Sequence, residues 1–328
     1  MSGPLSVYFF TLTDTTASEH MYMSSLRDAL VERGVTPVDD WREADIVHLF
    51  EVNFYSRAAL SEFEYPKLLR ILRSDVPVVV STDDLFFLDR PELTARPRLY
   101  PVNNYTQRWL FDQCDHIIAI SGSVADALRA EFPAEKISVI HHGVDDRYRD
   151  DGDDSGEETP FMLHVSLAAK RKNPAAIAEV AQRVDHRFVI AGSGWDEHVP
   201  STPATENVEI AGYVPEEELV DLYKRAAIFY FPTLHEGFGL PVLEAMAAGC
   251  AVVTSDVYSV PEVAGDAAVR CDPTDVDAHV EAIEQLFGSD RRRELAADAR
   301  DRASEFRWEQ SAEETERVYS RVTGSDGT

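Results

Sequence analysis

Two carboxylates, Glu236 and Glu244, stand eight residues apart in the stretch HEGFGLPVLEAMAAGC, residues 235–250. Gly237 and Gly239 lie between them. Glycine lets a backbone approach a ligand closely and turn its N–H groups outward. Pro241 suits the first helical position, where its missing N–H has no partner to lose. Residues 242–248 then read as helix and Gly249 as its stop. The loop of Gly237, Phe238, Gly239 and Leu240 therefore meets a helix N-terminus, an arrangement that favours phosphate groups. Glu236 belongs to the loop and Glu244 lies beyond the first helical turn. Both carboxylates can accept hydrogen bonds from hydroxyl groups.

A second cluster, SLAAKRKN at 166–173, follows an apolar run and holds Lys170, Arg171 and Lys172 in a row. An ammonium and a guanidinium together can neutralise charge that develops on a leaving diphosphate. The alternative is a solvated basic turn ahead of a helix. Gly192-Ser193-Gly194 follows the apolar run FVIA and imitates part of a dinucleotide fingerprint, but Glu197 stands where a third glycine belongs. A tight strand exit explains the pair equally well. Gly212-Tyr213-Val214-Pro215 precedes EEELVDLYKRA and reads as a loop and helix start. Thr82-Asp83-Asp84 follows the run VPVVVS. Two adjacent acidic side chains diverge, so a strand exit or cap competes with metal binding there, and no metal site is expected. Among the histidines near strand ends (His141, His142, His164 and His235), His235 beside Glu236 is the best candidate to line a site. The others read as structural.

The segment 235–250, with AAIFYFPTL before it and AVVTSDVYSVPEVAGDAA after it, resembles the E-x7-E motif of retaining glycosyltransferases of family 4, which have the GT-B fold. The resemblance is strong over 161–319 and weak over 6–145. It implies a nucleotide diphosphate sugar as donor, GDP- or UDP-linked, with no resident cofactor and no metal. Glu244 would hold the ribose hydroxyls. Glu236 would hold sugar hydroxyls or stabilise positive charge at the anomeric carbon. The backbone of Gly237, Phe238, Gly239 and Leu240, with Lys172 and Arg171, would hold the diphosphate. Gly192 would line the donor cleft, and Tyr213 and Val214 would contact the base. The family usually has arginine where this chain has Leu167, and histidine where it has Asp83. Asp83 would then face the reacting sugar. Ser18-Glu19-His20 replaces a glycine-rich first loop. The R-K-N signature leans toward mannosyl transfer from GDP-mannose. The implied acceptor is a glycan, a lipid-linked glycan or a small molecule. A GT-B protein that binds sugar nucleotides without transferring them, and a nicotinamide oxidoreductase resting on Gly192 and Gly194, are the rival readings.

The elements that must position these residues follow from apolar patterning. Strands are expected at 5–12, 45–50, 76–81, 116–121, 137–141, 161–166, 187–191, 208–211, 228–231 and 251–255. Helices are expected at 18–33, 65–72, 105–115, 123–132, 174–184, 215–226, 274–286 (capped by Thr274) and 291–306, with a last amphipathic helix in 306–322. Such alternation means doubly wound parallel sheets. The polar run 150–159, DDGDDSGEET, marks a boundary. The expected fold is α/β: two Rossmann-like domains facing a cleft, 1–150 for the acceptor and 160–306 for the nucleotide sugar, with 307–322 crossing back to the first. Each motif above lies just after an expected strand, where ligands bind in open α/β sheets.

The chain has 328 residues, enough for two domains, and a formal net charge of −28. That balance argues against nucleic acid as a partner. Lysine occurs five times, so arginine carries nearly all the positive charge. An acid-rich, lysine-poor surface suits a cytoplasm at molar salt, as in a halophile. Cys114, Cys250 and Cys271 neither pair in spacing nor suggest a metal site. The N-terminus lacks a basic region and reads as a first strand, not a signal peptide. No apolar run is long enough to span a membrane, so a cytoplasmic location is expected. Peripheral membrane association and oligomeric state stay open.

Overall fold

A computed structural model describes residues 4–11, 17–50, 64–82, 85, 91–93, 100–149 and 160–324. The chain divides into two compact units, 1–143 with 307–328, and 144–306. The boundary run expected at 150–159 lies outside the described residues, as do Asp83 and Asp84.

The first unit contains β1 (Ser6–Thr11), α1 (Ala17–Glu32), β2 (Thr36–Pro37), β3 (Ile46–Phe50), α2 (Glu64–Ile71), β4 (Val78–Ser81), α3 (Tyr100–Gln113), β5 (His116–Ala119), α4 (Gly122–Arg129) and β6 (Ile137–Val139). Its sheet has the order β2-β1-β3-β4-β5-β6, and each described pairing is parallel. Strands β3, β4 and β5 are buried along their whole lengths, as apolar runs covered on both faces must be. Ser121 caps α4 by accepting from the N–H of Val124. Ser18, Glu19 and His20 fall in the first turns of α1.

The second unit contains β7 (Met162–Val165), α5 (Pro174–Arg183), β8 (Phe188–Ala191), β9 (Val208–Gly212), α6 (Glu216–Arg225), β10 (Ile228–Phe231), α7 (Leu240–Ala247), β11 (Ala251–Ser255), α8 (Val260–Ala264), β12 (Val269–Cys271), α9 (Val276–Phe287) and α10 (Arg291–Ala303). Its sheet runs β12-β11-β10-β7-β8-β9, again parallel. This is the dinucleotide-fold order, and the order in which strands are added reverses between β7 and β10. The core packs Trp195, Phe188, Tyr230, Ile177 and Val180 with Ile283 and Leu286 of α9.

The last helix, α11 (Trp308–Thr323), belongs to the first unit, where it packs on α1. The hydroxyl of Tyr319 lies 2.5 Å from Nδ1 of buried His48, whose Nε2 lies 2.7 Å from Oγ of Ser81. Ser311 donates to the carbonyl of His141 at 2.6 Å. The ring of Trp308 stands 5.4 Å from that of His142. A Cβ on Gly143 would fall 2.3 Å from the backbone nitrogen of Trp308, so only glycine fits that approach.

Several expected details shift. Pro241 is the second residue of α7 and Pro215 the N-cap of α6, rather than first helical residues. Asp275, not Thr274, caps α9, because its carboxylate accepts from the N–H of Ala278. Strands β2 and β12 and helix α8 were not expected; all are too short for a periodic pattern to register.

Candidate functional site

Strand β7 ends at Val165, and the chain crosses the carboxyl end of the sheet to a single turn of 3-10 helix at Lys170–Lys172. Asn173 follows in the left-handed region, φ 57°, and caps α5 by accepting from the N–H of Ala176. Its amide also donates to the carbonyl of Pro273 at 2.7 Å. The asparagine of the R-K-N stretch is thus a hinge between turn and helix, since asparagine tolerates this backbone region.

Strand β10 ends at Phe231, next to β7 at the point where strand order reverses. The loop after it is tied to the basic turn: the N–H of Leu234 donates to the carbonyl of Arg171 at 2.7 Å. Side chains converge on one oxygen. Oε1 of Glu236 accepts from Nζ of Lys172 at 2.5 Å, from Nη1 of Arg171 at 3.1 Å, and stands 2.9 Å from the hydroxyl of Thr233. Lys172 and Glu236 are both buried, while Arg171 keeps about a quarter of its side chain exposed. The ammonium of Lys172 also lies over the ring of Phe231, 4.7 Å from its centre. A buried carboxylate facing two cations and a hydroxyl is a paired charge, as burial demands.

After Glu236 come Gly237, Phe238 and Gly239, and α7 begins at Leu240. Gly239 has φ 100°, which an L side chain rarely adopts. The helix ends in a Schellman motif: the N–H of Cys250 reaches the carbonyl of Ala245 and the N–H of Gly249 that of Met246.

Glu244 lies on α7, 8% exposed. Burial pushes its carboxyl up to about 7. The hydroxyl of Tyr223 on α6 donates to its Oε2 at 3.0 Å and works in the opposite direction. Glu216 and Asp145 add to the rise, and Lys172 opposes it. Tyr148 packs edge-on against Tyr223, ring centres 5.5 Å apart, behind the carboxylate.

The structure therefore brings Glu236, Lys172 and Arg171 into direct contact and sets Gly237, Phe238, Gly239 and Leu240 between them and Glu244. Gly192 follows β8 with φ 122°; its N–H donates to the carbonyl of Gly212, and a Cβ would lie 1.9 Å from the carbonyl oxygen of Ser166. Close passage of neighbouring loops thus already requires this glycine, with no dinucleotide needed. Tyr213 is strongly exposed and Val214 half-buried on the loop after β9. Leu167 is likewise exposed. Asp83 lies outside the described residues. His235 is buried with its ring 3.9 Å from that of Tyr258, and His164 is a core residue between the carbonyl of Tyr230 and the hydroxyl of Ser166. Cys114 and Cys250 are buried and Cys271 half-buried. Among the described residues no cluster of histidine, cysteine and acidic groups could hold a metal ion, and no helix is long and apolar enough to cross a membrane.

Thr233, Tyr223, Tyr258 and Ser259 take part in this site unforeseen. Tyr223, Tyr258 and Ser259 act through contacts distant in sequence, whereas Thr233 reaches Glu236 within its own loop as well as the distant carbonyl of Arg171.

Residues 150–305 match the family described as Glycosyl transferases group 1, and residues 22–148 match Glycosyltransferase Family 4. These matches support a glycosyltransferase of the family 4 type. O-antigen chain mannosyltransferase B of Escherichia coli is 36% identical over 172 residues, 48% of this chain and 45% of that protein. Alpha-maltose-1-phosphate synthase of Mycolicibacterium smegmatis is 25% identical over 261 residues, 68% of this chain and 67% of that protein. The chain thus aligns with less than half the length of the first relative and about two thirds of the second. Sucrose-phosphate synthase of Thermosynechococcus elongatus has the same fold, with a TM-score of 0.79, 15% identity, and coverage of 99% of this chain and 100% of that one. The two parallel sheets and this likeness make the fold GT-B.

Proposed function

We propose that this chain is a glycosyltransferase that moves a hexose from a nucleotide diphosphate sugar to a glycan, lipid-linked or small-molecule acceptor, with retention at the anomeric carbon and without a metal ion. The observation that carries the reading is the convergence of Lys172 and Arg171 on Glu236, beside the loop that opens α7. Glu236 holds both cations. A bound diphosphate would share them, and the N–H groups at the start of α7 would add to its field. The bond from the anomeric carbon to the diphosphate oxygen breaks, and its electron pair stays on the diphosphate. The acceptor oxygen forms the new bond on the same face, and its proton passes to the departing oxygen. Lys172 and Arg171 stabilise the charge that develops, which is the main catalytic contribution. Glu236 stabilises the positive anomeric centre or the sugar hydroxyls. Glu244 holds the ribose hydroxyls. In this reading Tyr213 and Val214 would contact the base, Gly192 would line the donor cleft, and Asp83 would serve the sugar end. No resident cofactor is required.

The mannosyltransferase name of the 36% identical relative supports a mannose donor, GDP-linked in the first instance. The acid-rich, lysine-poor composition supports a cytoplasm at molar salt as the working solvent. A second reading, donor binding without transfer, rests on Leu167 in place of the arginine, and Asp83 in place of the histidine, that the resemblance implies. Thermal stabilisation in molar KCl by GDP, UDP, their sugar conjugates and NAD tests the first step. A shift with one nucleoside diphosphate, lost in Glu244→Ala, is expected. A shift with NAD alone would replace the reading with the oxidoreductase. Release of free nucleoside diphosphate from the stabilising donor then separates transfer from binding alone.

A further inference from the structure

Ser259 is fully buried just ahead of α8, and its hydroxyl does not cap that helix. It points instead at the loop after β10. Its Oγ lies 2.8 Å from the carbonyl oxygen of Glu236 and 2.9 Å from that of Phe238. One proton is shared between two carbonyls that flank Gly237. Fixing the Phe238 carbonyl fixes the peptide plane it shares with Gly239, and with it the direction of the Gly239 N–H; fixing that of Glu236 anchors the loop on the other side of Gly237.

The support has a second layer. Arg302 of α10 donates to the carbonyls of Glu262 at 2.6 Å and Val263 at 3.1 Å, so it holds α8 in place behind Ser259. The same guanidinium lies over the ring of Phe306, 4.9 Å from its centre. That ring meets Phe238 edge-on, with centres 5.9 Å apart. Arg302 therefore backs the loop through two routes, Ser259 and Phe306. Tyr258, next to Ser259, is one of two non-glycine residues with positive φ among the described residues, at 50°. Backbone strain of this kind persists only where the surroundings enforce it.

We propose that Ser259 is a positioning residue for the donor diphosphate: its hydroxyl anchors the Glu236–Phe238 backbone and holds the Phe238–Gly239 peptide in the orientation that presents the Gly239 N–H to phosphate. The assignment rests on the donor reading above. It assigns Ser259 to the phosphate end of the donor and not to the nucleoside end, which Glu244 serves.

The test uses the full chain in molar KCl and three variants, Ser259→Ala, Ser259→Cys and Arg302→Gln. Binding of GDP and UDP is compared with binding of guanosine and uridine. Amide hydrogen exchange over residues 236–240 is followed in the ligand-free protein. Ser259→Ala is expected to weaken the bound nucleoside diphosphate about tenfold and the matching nucleoside less than twofold, with faster exchange over 236–240. Ser259→Cys, which keeps a weak donor, falls between, and Arg302→Gln follows the same pattern more mildly. Equal losses for nucleoside and diphosphate, or unchanged exchange in Ser259→Ala, overturn the proposal. Faster exchange in a protein whose wild type binds no nucleoside diphosphate would leave the loop anchor standing and sink the donor reading along with the diphosphate role.

Discussion

At the scale of single residues, the two glutamates differ by environment. Glu236 meets two cations and a hydroxyl. Glu244 meets one tyrosine hydroxyl inside a buried pocket, and burial holds its carboxyl at about 7. Its folded value is raised above the ordinary 4.5, so the folded chain keeps this proton where the unfolded chain has lost it. The stabilising contribution is complete below about pH 4.5 and is lost as pH rises to about 7, of order 3 kcal/mol. Glu244→Gln removes that loss. The free variant is expected to be more stable than wild type at pH 8 and to lack the wild type's decline between pH 5 and 8. Urea unfolding across that range reads both, and parallel curves would refute the assignment. Ribose hydroxyls donating to the carboxylate favour its ionised form. Nucleoside diphosphate binding should accordingly tighten as pH rises through 7.

At the scale of elements, the site is two loops and one helix start, and their glycines do different things. Gly192 is held between loops, where a Cβ would meet the carbonyl of Ser166 at 1.9 Å. Gly239 has a left-handed φ, but a Cβ there would find only Val260 Cγ2 at 4.0 Å. Gly192→Ala must move backbone, and a loss above about 3 kcal/mol is expected from clash and strain together. Gly239→Ala is expected to lose about 1 kcal/mol, the strain alone, yet to weaken nucleoside diphosphate binding because the start of α7 turns. Urea midpoints rank the two, and the reverse order would refute the reading. This contrast also shows what was legible. Glycine and proline around α7, and the apolar runs of β7, β10 and β11, announce their own backbone requirements. Asn173 in R-K-N was read as part of a basic signature, whereas its structural work is a left-handed cap. Tyr258 carries no sign of its positive φ, because tyrosine is not a residue that seeks it. Ser259 and Tyr223 act across more than twenty residues of chain, and no window along the sequence contains both partners.

At the scale of the whole molecule, the chain closes its first unit with its last helix. The expected return of residues 307–322 rests on the same surface that α1 provides, and what fixes it is buried and polar. His48 sits fully buried in β3, and burial pushes its imidazole down to about 3, so it stays neutral. A neutral ring has one donor and one acceptor, and Tyr319 and Ser81 satisfy one nitrogen each. Tyr319→Phe keeps the ring and its packing but leaves one nitrogen of a buried histidine without its partner. A loss of about 1–3 kcal/mol is expected, the cost of an unsatisfied buried polar group. Because His48, Ser81 and Tyr319 all belong to the first unit, the loss should appear as a lower urea midpoint for that unit. Binding of GDP or UDP, which the proposed function assigns to residues 171–244 of the other, should change less than twofold. The comparison is informative because it separates two meanings of the returning helix. If binding weakens in step with stability, α11 does more than complete the unit it packs on, and the donor site depends on that closure.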